Sequence, residues 1–206
     1  TLQGYGLTET SPVVSCNPIE DIRIDTVGIP FRCNNVKIAE DGEILVKGEN
    51  VMLGYWNKKA ETDKVLVDGW LHTGDIGKFV NGFLKITDRK KDILITPGGD
   101  NISPVKVETA LNNSNYIDQS LVYGDNKPYL VALLVLNSEI SIDEKDLINE
   151  IEKINKNLTK IEKIKKFFVI KEKFSIENGM MTPTLKLKRY KIMSIYKNNF
   201  EELYKK

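Results

Sequence analysis

Between Val27 and Asp88 the chain is interrupted by three Asx-Gly pairs, Asp41-Gly42, Asp68-Gly69 and Asn81-Gly82, each set between short apolar stretches. Asp-Gly and Asn-Gly enter the left-handed backbone of tight hairpins at little cost, so pairs placed this way point to antiparallel strands. Val36-Lys37-Ile38, Glu43-Ile44-Leu45-Val46 and Phe83-Leu84-Lys85-Ile86 are accordingly predicted as strands of a small antiparallel β unit.

The pattern changes after Arg89-Lys90-Lys91-Asp92. Ile93-Leu94-Ile95 leads into a Gly98-Gly99 turn, and Ser103-Pro104 has the composition of a helix cap followed by proline in the first turn. Leu121-Val122-Tyr123 and Tyr129 to Leu136 are predicted strands around a turn at Gly124-Asp125-Asn126. Leu147, Ile151, Ile154, Leu158 and Ile161 recur every three or four residues, which predicts an amphipathic helix from near Asp143 packed on the neighbouring sheet. Phe167 to Ile170 is predicted as a further strand, and Thr184 to about Tyr204 as a basic helix entered through Thr182-Pro183. The expected class is α+β, with an antiparallel β unit ending the region 1–88 and a compact α+β domain over 89–206.

With 206 residues and 41% hydrophobic content, the chain suits one large domain or two small ones. A formal net charge of +1 argues against a general nucleic-acid binder. From Asp143 onward, however, 16 Lys and Arg face 10 Asp and Glu, a basic balance suited to a solvated face, to phosphates or to an anionic membrane surface. Cys16 and Cys33 lack metal-ligand spacing and fit a reducing compartment, which points to the cytoplasm. The apolar run Pro128 to Ser138 is too short to cross a bilayer, so membrane attachment by this chain would be peripheral. The chain begins at Thr1 without a methionine and is read as a fragment.

Several motifs carry residue types suited to chemistry. Gly4-Tyr5-Gly6-Leu7-Thr8-Glu9 offers an aromatic face, flexible backbone, a hydroxyl and a carboxylate, a set able to stack a base, bond a phosphate and ligate Mg²⁺. Gly42-Glu43-Ile44-Leu45-Val46-Lys47-Gly48 and Gly54-Tyr55-Trp56 form, taken alone, a hairpin with an aromatic end. In Gly69-Trp70-Leu71-His72-Thr73-Gly74-Asp75, a carboxylate after a Thr-Gly turn is suited to accepting hydrogen bonds from both hydroxyls of a ribose. His72 is the sole histidine, and its place beside an aromatic turn favours a packed or exposed side chain over a catalytic base. Asp88-Arg89-Lys90-Lys91-Asp92 presents a guanidinium for ribose or phosphate, or is a charged linker. Thr96-Pro97-Gly98-Gly99-Asp100-Asn101 lets a ligand approach the backbone, or is an ordinary loop. Met181-Thr182-Pro183-Thr184-Leu185-Lys186-Leu187-Lys188-Arg189 places a cationic cluster near the C-terminus.

In this order, over nearly the whole chain, the series resembles the adenylate-forming acyl-CoA synthetase superfamily. Arg89-Lys90-Lys91-Asp92 followed by Gly98-Gly99-Asp100-Asn101, and Thr182 to Lys186, are similar to its long-chain fatty-acid:CoA ligase branch. The resemblance implies that residues 1–88 end the large AMP-binding domain and that 89–206 form a mobile C-terminal domain. It implies that Tyr5 stacks on adenine beside Gly6, that Thr8 bonds the α-phosphate and that Glu9 binds Mg²⁺. The resemblance further implies that Asp75 holds the ribose diol with help from Arg89, that Lys91 is the hinge, and that Gly98 and Gly99 line the approach of the pantetheine thiol. It implies that Lys186 bridges the carboxylate and the α-phosphate during adenylation. Leu185 departs from the family pattern, because many relatives carry glycine before that lysine. The implied reaction uses ATP, Mg²⁺, coenzyme A and a long-chain fatty acid, and needs an N-terminal part containing the phosphate loop and acyl pocket. Rival readings are an adenylating enzyme with an acyl-carrier-protein acceptor, or a fragment without catalysis of its own.

Overall fold

The computed structural model describes residues 2–205 and divides the chain into two compact units, Thr1–Asp92 and Ile93–Lys206. Arg89 to Asp92 thus fall in the first unit, because the last strand of that unit runs through Arg89. The sequence change at Arg89 therefore precedes the structural break, since Ile93 is the first residue to join the second unit. Every sheet is confined to one unit.

The first unit opens with β1 (Gly4–Gly6), β2 (Val13–Cys16) and β3 (Ile29–Pro30), a three-stranded antiparallel sheet in that order, with a 3₁₀ turn at Thr8–Thr10. Gly6 lies so close to the Pro12 carbonyl that a Cβ would sit 1.7 Å from the oxygen, so no other residue fits there without moving backbone. The larger sheet contains β4 (Asn34–Ile38), β5 (Glu43–Gly48), β6 (Leu66–Val67), β7 (Trp70–Val80) and β8 (Phe83–Arg89), with α1 (Lys59–Val65) preceding β6. Its order is β4-β5-β7-β6, with β8 paired along the second half of β7. Both residues of Asp68-Gly69 and of Asn81-Gly82 have positive φ, the type I′ geometry whose twist matches flanking strands. Ile44, Val46, Val14 and Leu84 are fully buried in the core of this unit. Each such side chain contributes roughly 1.5–3 kcal/mol relative to exposure. Helix α1 buries no residue, which is why its sequence has no apolar stripe.

The second unit begins with the hairpin β9 (Leu94–Ile95) and β10 (Asn101–Ile102), then α2 (Pro104–Asn112). Ser103 caps α2 by accepting a hydrogen bond from the Lys106 amide at 3.0 Å. Next come β11 (Ile117–Tyr123), β12 (Leu130–Leu136), α3 (Glu144–Asn155) and β13 (Ile164–Ile170), giving the sheet order β11-β12-β13. β11 and β12 are antiparallel; β12 and β13 are parallel, joined by the α3 crossover. The central strand alternates between two cores. Leu130, Ala132 and Leu134 pack with α2 and α3, while Val131, Leu133 and Val135 pack with Phe174, Ile192 and Phe200. A strand buried on both faces must be apolar at every position, which accounts for the uninterrupted run at Leu130–Leu136.

Two expected helices differ from the structure. α3 stops at Asn155, short of Ile161, because the Asn155 side chain pairs with both backbone groups of Ile164: Nδ2 donates to its carbonyl and Oδ1 accepts from its amide, each at 2.9 Å. Leu158 is buried without being helical and Ile161 is exposed. The expected helix from Thr184 to Tyr204 is instead a tight turn, then α4 (Arg189–Ile195) and α5 (Lys197–Glu202), broken at Tyr196. Pro183 sits in that turn, whose ends are joined by an antiparallel bridge between Met181 and Leu187. No helix among the described residues is long and apolar enough to cross a membrane.

Candidate functional site

In the first unit, strand register brings distant motifs together. β7 and β8 place Asp75 directly opposite Arg89, and Arg89 Nε lies 3.2 Å from Asp75 Oδ1. The other carboxylate oxygen, Oδ2, accepts a 2.7 Å hydrogen bond from the Tyr5 hydroxyl on β1. Asp75 is 5% exposed and Tyr5 8%, whereas Arg89 is about half exposed at its side chain. Burial, reinforced by the Asp75 charge, pushes the Tyr5 phenol far above its ordinary value, so it remains a donor at neutral pH. A carboxylate offers about four lone-pair sites, so two held contacts leave Asp75 able to accept from further hydroxyls. The sequence suggests a stacking face at Tyr5; the structure shows its hydroxyl orienting Asp75, which the sequence did not suggest.

Thr8 is exposed and Glu9 half-buried in the 3₁₀ turn that follows β1. Glu9 Oε1 accepts from the Tyr55 hydroxyl at 2.8 Å, and the Glu9 carbonyl accepts from the Met52 amide, which ties the turn to the Gly54-Tyr55-Trp56 segment. That hydrogen bond is the main reason the Tyr55 phenol is raised above its ordinary value. No cluster of three or more metal-ligating side chains exists among the described residues. A single carboxylate such as Glu9 fits Mg²⁺ whose other ligands are phosphate oxygens and water, the usual arrangement for that ion.

A cleft of about 320 Å³ adjoins these residues, lined in part by Glu9, Tyr55, Thr73 and Gly74. Its wall also holds Glu43, His72 and Lys90. Glu43 Oε2 lies 3.0 Å from His72 Nδ1 and 2.9 Å from Lys90 Nζ, and Oε1 accepts from the Gly74 amide at 2.9 Å. Lys90 Nζ is also 2.6 Å from Asp41 Oδ2. Burial works to raise the Glu43 carboxyl, but the bonds from Lys90, His72 and Gly74 outweigh it and hold the group below its ordinary value. Asp41 first, then Glu43, raises the Lys90 ammonium. Sequence reading left this network out. Its signal was a charged residue, Glu43, beginning a strand whose next three residues are apolar and buried.

The remaining candidates follow Lys90 in the chain. Lys91 is exposed in a 3₁₀ turn, Lys90–Asp92, that ends the first unit. In the second unit, Gly98 and Gly99 are exposed in the β9–β10 turn, and Lys186 is exposed in the turn after Met181. Arg189 follows that turn and forms a paired, largely buried salt bridge with Glu108 of α2. Glu108 also accepts from the Val122 amide at 2.7 Å, which anchors the base of the Lys186 turn to helix and sheet.

The family described as AMP-binding enzyme C-terminal domain matches residues 91–206, and the AMP-binding enzyme family matches residues 1–56. The chain belongs to the AMP-binding enzyme family. Among curated relatives, long-chain-fatty-acid–CoA ligase FadD15 of Mycobacterium tuberculosis is 36% identical over 99% of this chain and 38% of its own length. Long-chain-fatty-acid–CoA ligase 5 of Rattus norvegicus is 35% identical over 98% of this chain and 35% of its own. Among solved structures, the O-succinylbenzoate coenzyme A synthetase MenE of Bacillus subtilis, in complex with AMP, aligns with a TM-score of 0.73 at 31% identity, over 93% of this chain and 40% of that one. The adenylation domain of a carboxylate reductase from Mycobacterium chelonae aligns with a TM-score of 0.81 at 27% identity, over 98% and 34%. The chain thus spans a little over a third of the length of the curated relatives it matches.

Proposed function

We propose that this chain is the C-terminal part of an AMP-forming long-chain fatty acid:CoA ligase, with its nucleotide site centred on Asp75. The observation that carries this reading is the convergence of Tyr5 and Arg89 on one buried carboxylate, in a chain whose long-chain-fatty-acid–CoA ligase relatives match it nearly end to end. Asp75 accepts hydrogen bonds from the two ribose hydroxyls, Arg89 lends positive charge beside them, and Tyr5 packs along the adenine, with Gly6 next to it on β1. Thr8 donates its hydroxyl to the α-phosphate. Glu9 is the residue that holds Mg²⁺, which when bound neutralises charge on the triphosphate.

In the first half-reaction a fatty-acid carboxylate oxygen attacks the α-phosphorus, the bond to pyrophosphate breaks, and an acyl-adenylate forms. Lys186 offsets the charge that develops on the carboxylate and α-phosphate oxygens, the situation in which a placed donor lowers a barrier most. In the second, the coenzyme A thiolate attacks the acyl carbonyl, AMP leaves with its phosphate oxygen, and a thioester remains. Gly98 and Gly99 admit the pantetheine arm, and backbone rotation at Lys91 exchanges one arrangement for the other. The basic balance of the second unit suits an enzyme of the cytoplasm that meets an anionic membrane surface peripherally.

A full-length protein carrying this chain should convert ATP, a long-chain fatty acid and coenzyme A into AMP, pyrophosphate and acyl-CoA. Thioester formed on a carrier protein and not on coenzyme A would move the acceptor. No pyrophosphate release with any fatty acid would remove the ligase assignment.

A further inference from the structure

Glu43 is 3% exposed, and a carboxylate so desolvated persists as an anion only where donors surround it. Its three donors are not scattered. His72 and Gly74 flank Thr73 on β7, and Gly74 directly precedes Asp75; Lys90 directly follows Arg89.

The reason lies in the strand register. Glu43 pairs with Ile76 and Leu45 with His72, so one residue of β5 faces three of β7. Thr73, Gly74 and Asp75 bulge out of the ladder with β5, while Asp75 stays opposite Arg89 on β8, and the groups freed from β5 need other partners. Thr73 Oγ1 donates to the Ile44 carbonyl at 2.7 Å and accepts from the Asp75 amide at 3.1 Å. The Gly74 amide is taken by Glu43. The same carboxylate holds Lys90, the residue after the end of β8, so each residue of the Asp75–Arg89 pair has a neighbour tethered to one side chain.

We propose that Glu43 is the positioning residue of the nucleotide site: it fixes the bulge that carries Asp75 and the strand end that carries Arg89, and so sets where the ribose diol is held. This rests on the nucleotide-binding reading given above. In this role Glu43 acts through Asp75 and not by a contact of its own with the ribose. Its effect on nucleotide affinity therefore depends on Asp75 being present, whereas a residue that only stabilises the fold acts independently of it.

A double-mutant cycle on AMP affinity tests this, measured by equilibrium dialysis on the full-length protein, with circular dichroism confirming that each variant is folded. Glu43→Gln removes the charge and should weaken AMP binding about tenfold, the scale of a lost charge-assisted hydrogen bond. Asp75→Asn should weaken it by at least as much. The double variant should bind no worse than Asp75→Asn alone, to within about twofold. If Glu43→Gln does not fold, Glu43→Asp keeps the charge, shortens the reach and should lose about threefold, again only when Asp75 is present. Losses that multiply in the double variant, or an unaltered affinity in Glu43→Gln beside a weakened Asp75→Asn, would overturn the role of Glu43 and leave the nucleotide site standing. An unaltered affinity in Asp75→Asn, or no AMP binding by the full-length parent, would overturn the nucleotide reading and this inference with it.

Discussion

Two turns of the second unit, Thr96-Pro97-Gly98-Gly99-Asp100 and Thr182-Pro183-Thr184-Leu185-Lys186, share one frame. In each, the threonine amide donates to the carbonyl of the fifth residue, the fourth amide donates back to the threonine carbonyl, and the fifth amide donates to the threonine hydroxyl. Every one of these bonds is 2.8–3.0 Å long. The fourth residue is left-handed in both, Gly99 at φ +88° and Leu185 at φ +59°. The frames differ only in what they carry. Asp100 folds its carboxylate back onto Thr96 Oγ1 at 3.2 Å, and the two glycines stand exposed before it. Lys186 makes no ion pair among the described residues and stands exposed beside Leu185, itself 67% exposed. One hydrogen-bonded scaffold thus presents bare backbone in one place and a cation in the other, matching the two half-reactions proposed for them.

The sharpest way to break this pairing is Lys91→Pro in the full-length enzyme. Proline fixes φ near −65° and removes an amide donor. Acyl-adenylate formation should persist while coenzyme A transfer is lost, read as pyrophosphate release without thioester; undiminished transfer in a folded variant removes Lys91 as the pivot. Lys186→Ala is expected to slow adenylation by about 10²–10³. Thioester formation from supplied acyl-adenylate should be largely spared, and an equal fall in both steps would cancel the division of labour between the turns.

Exchanging the fourth residues probes the frames themselves. Gly99→Leu places a branched side chain in a left-handed position and should cost about 1–2 kcal/mol in the second unit. It should also slow coenzyme A transfer more than adenylation, as followed by thermal unfolding and by the two half-reaction assays. Leu185→Gly is the mirror change with the smallest effect. Relief of about 1 kcal/mol of left-handed strain is offset by about 0.5–1 kcal/mol of extra chain entropy in the unfolded state. Stability should move by less than about 0.5 kcal/mol in denaturant titrations, and a large loss would mean that Leu185 packs against something.

The likeness of the turns was written in the sequence as a repeated Thr-Pro, yet Thr182-Pro183 was read as the start of a helix. That composition suits a helix entry equally well, and only the bridge between Met181 and Leu187 decides for a turn. The hairpins at Asp68-Gly69 and Asn81-Gly82 and the cap at Ser103-Pro104 were legible because their causes are local. The end of α3 was not, since it depends on Asn155 meeting Ile164 nine residues on. In the site, the order of motifs singled out Tyr5, Asp75 and Arg89, while their meeting is a matter of strand register. Glu43 had only the weak signal of a charge opening an apolar strand, since its partners come from β7 and from Lys90 just past β8, and cross-strand register is not written locally.

Strand β12 has a consequence for how such a chain is made. Its parallel partner β13 is separated from it by all of α3, so during synthesis the run from Leu130 to Leu136 leaves the ribosome with one edge paired to β11 and the other open. At about 5–20 residues per second the gap before Ile164 emerges lasts on the order of seconds. Through that interval an uncharged, apolar strand offers its free amides and carbonyls to any neighbouring chain. Chains halted before Ile164 should therefore aggregate, and chaperone demand should fall once β13 has closed that edge.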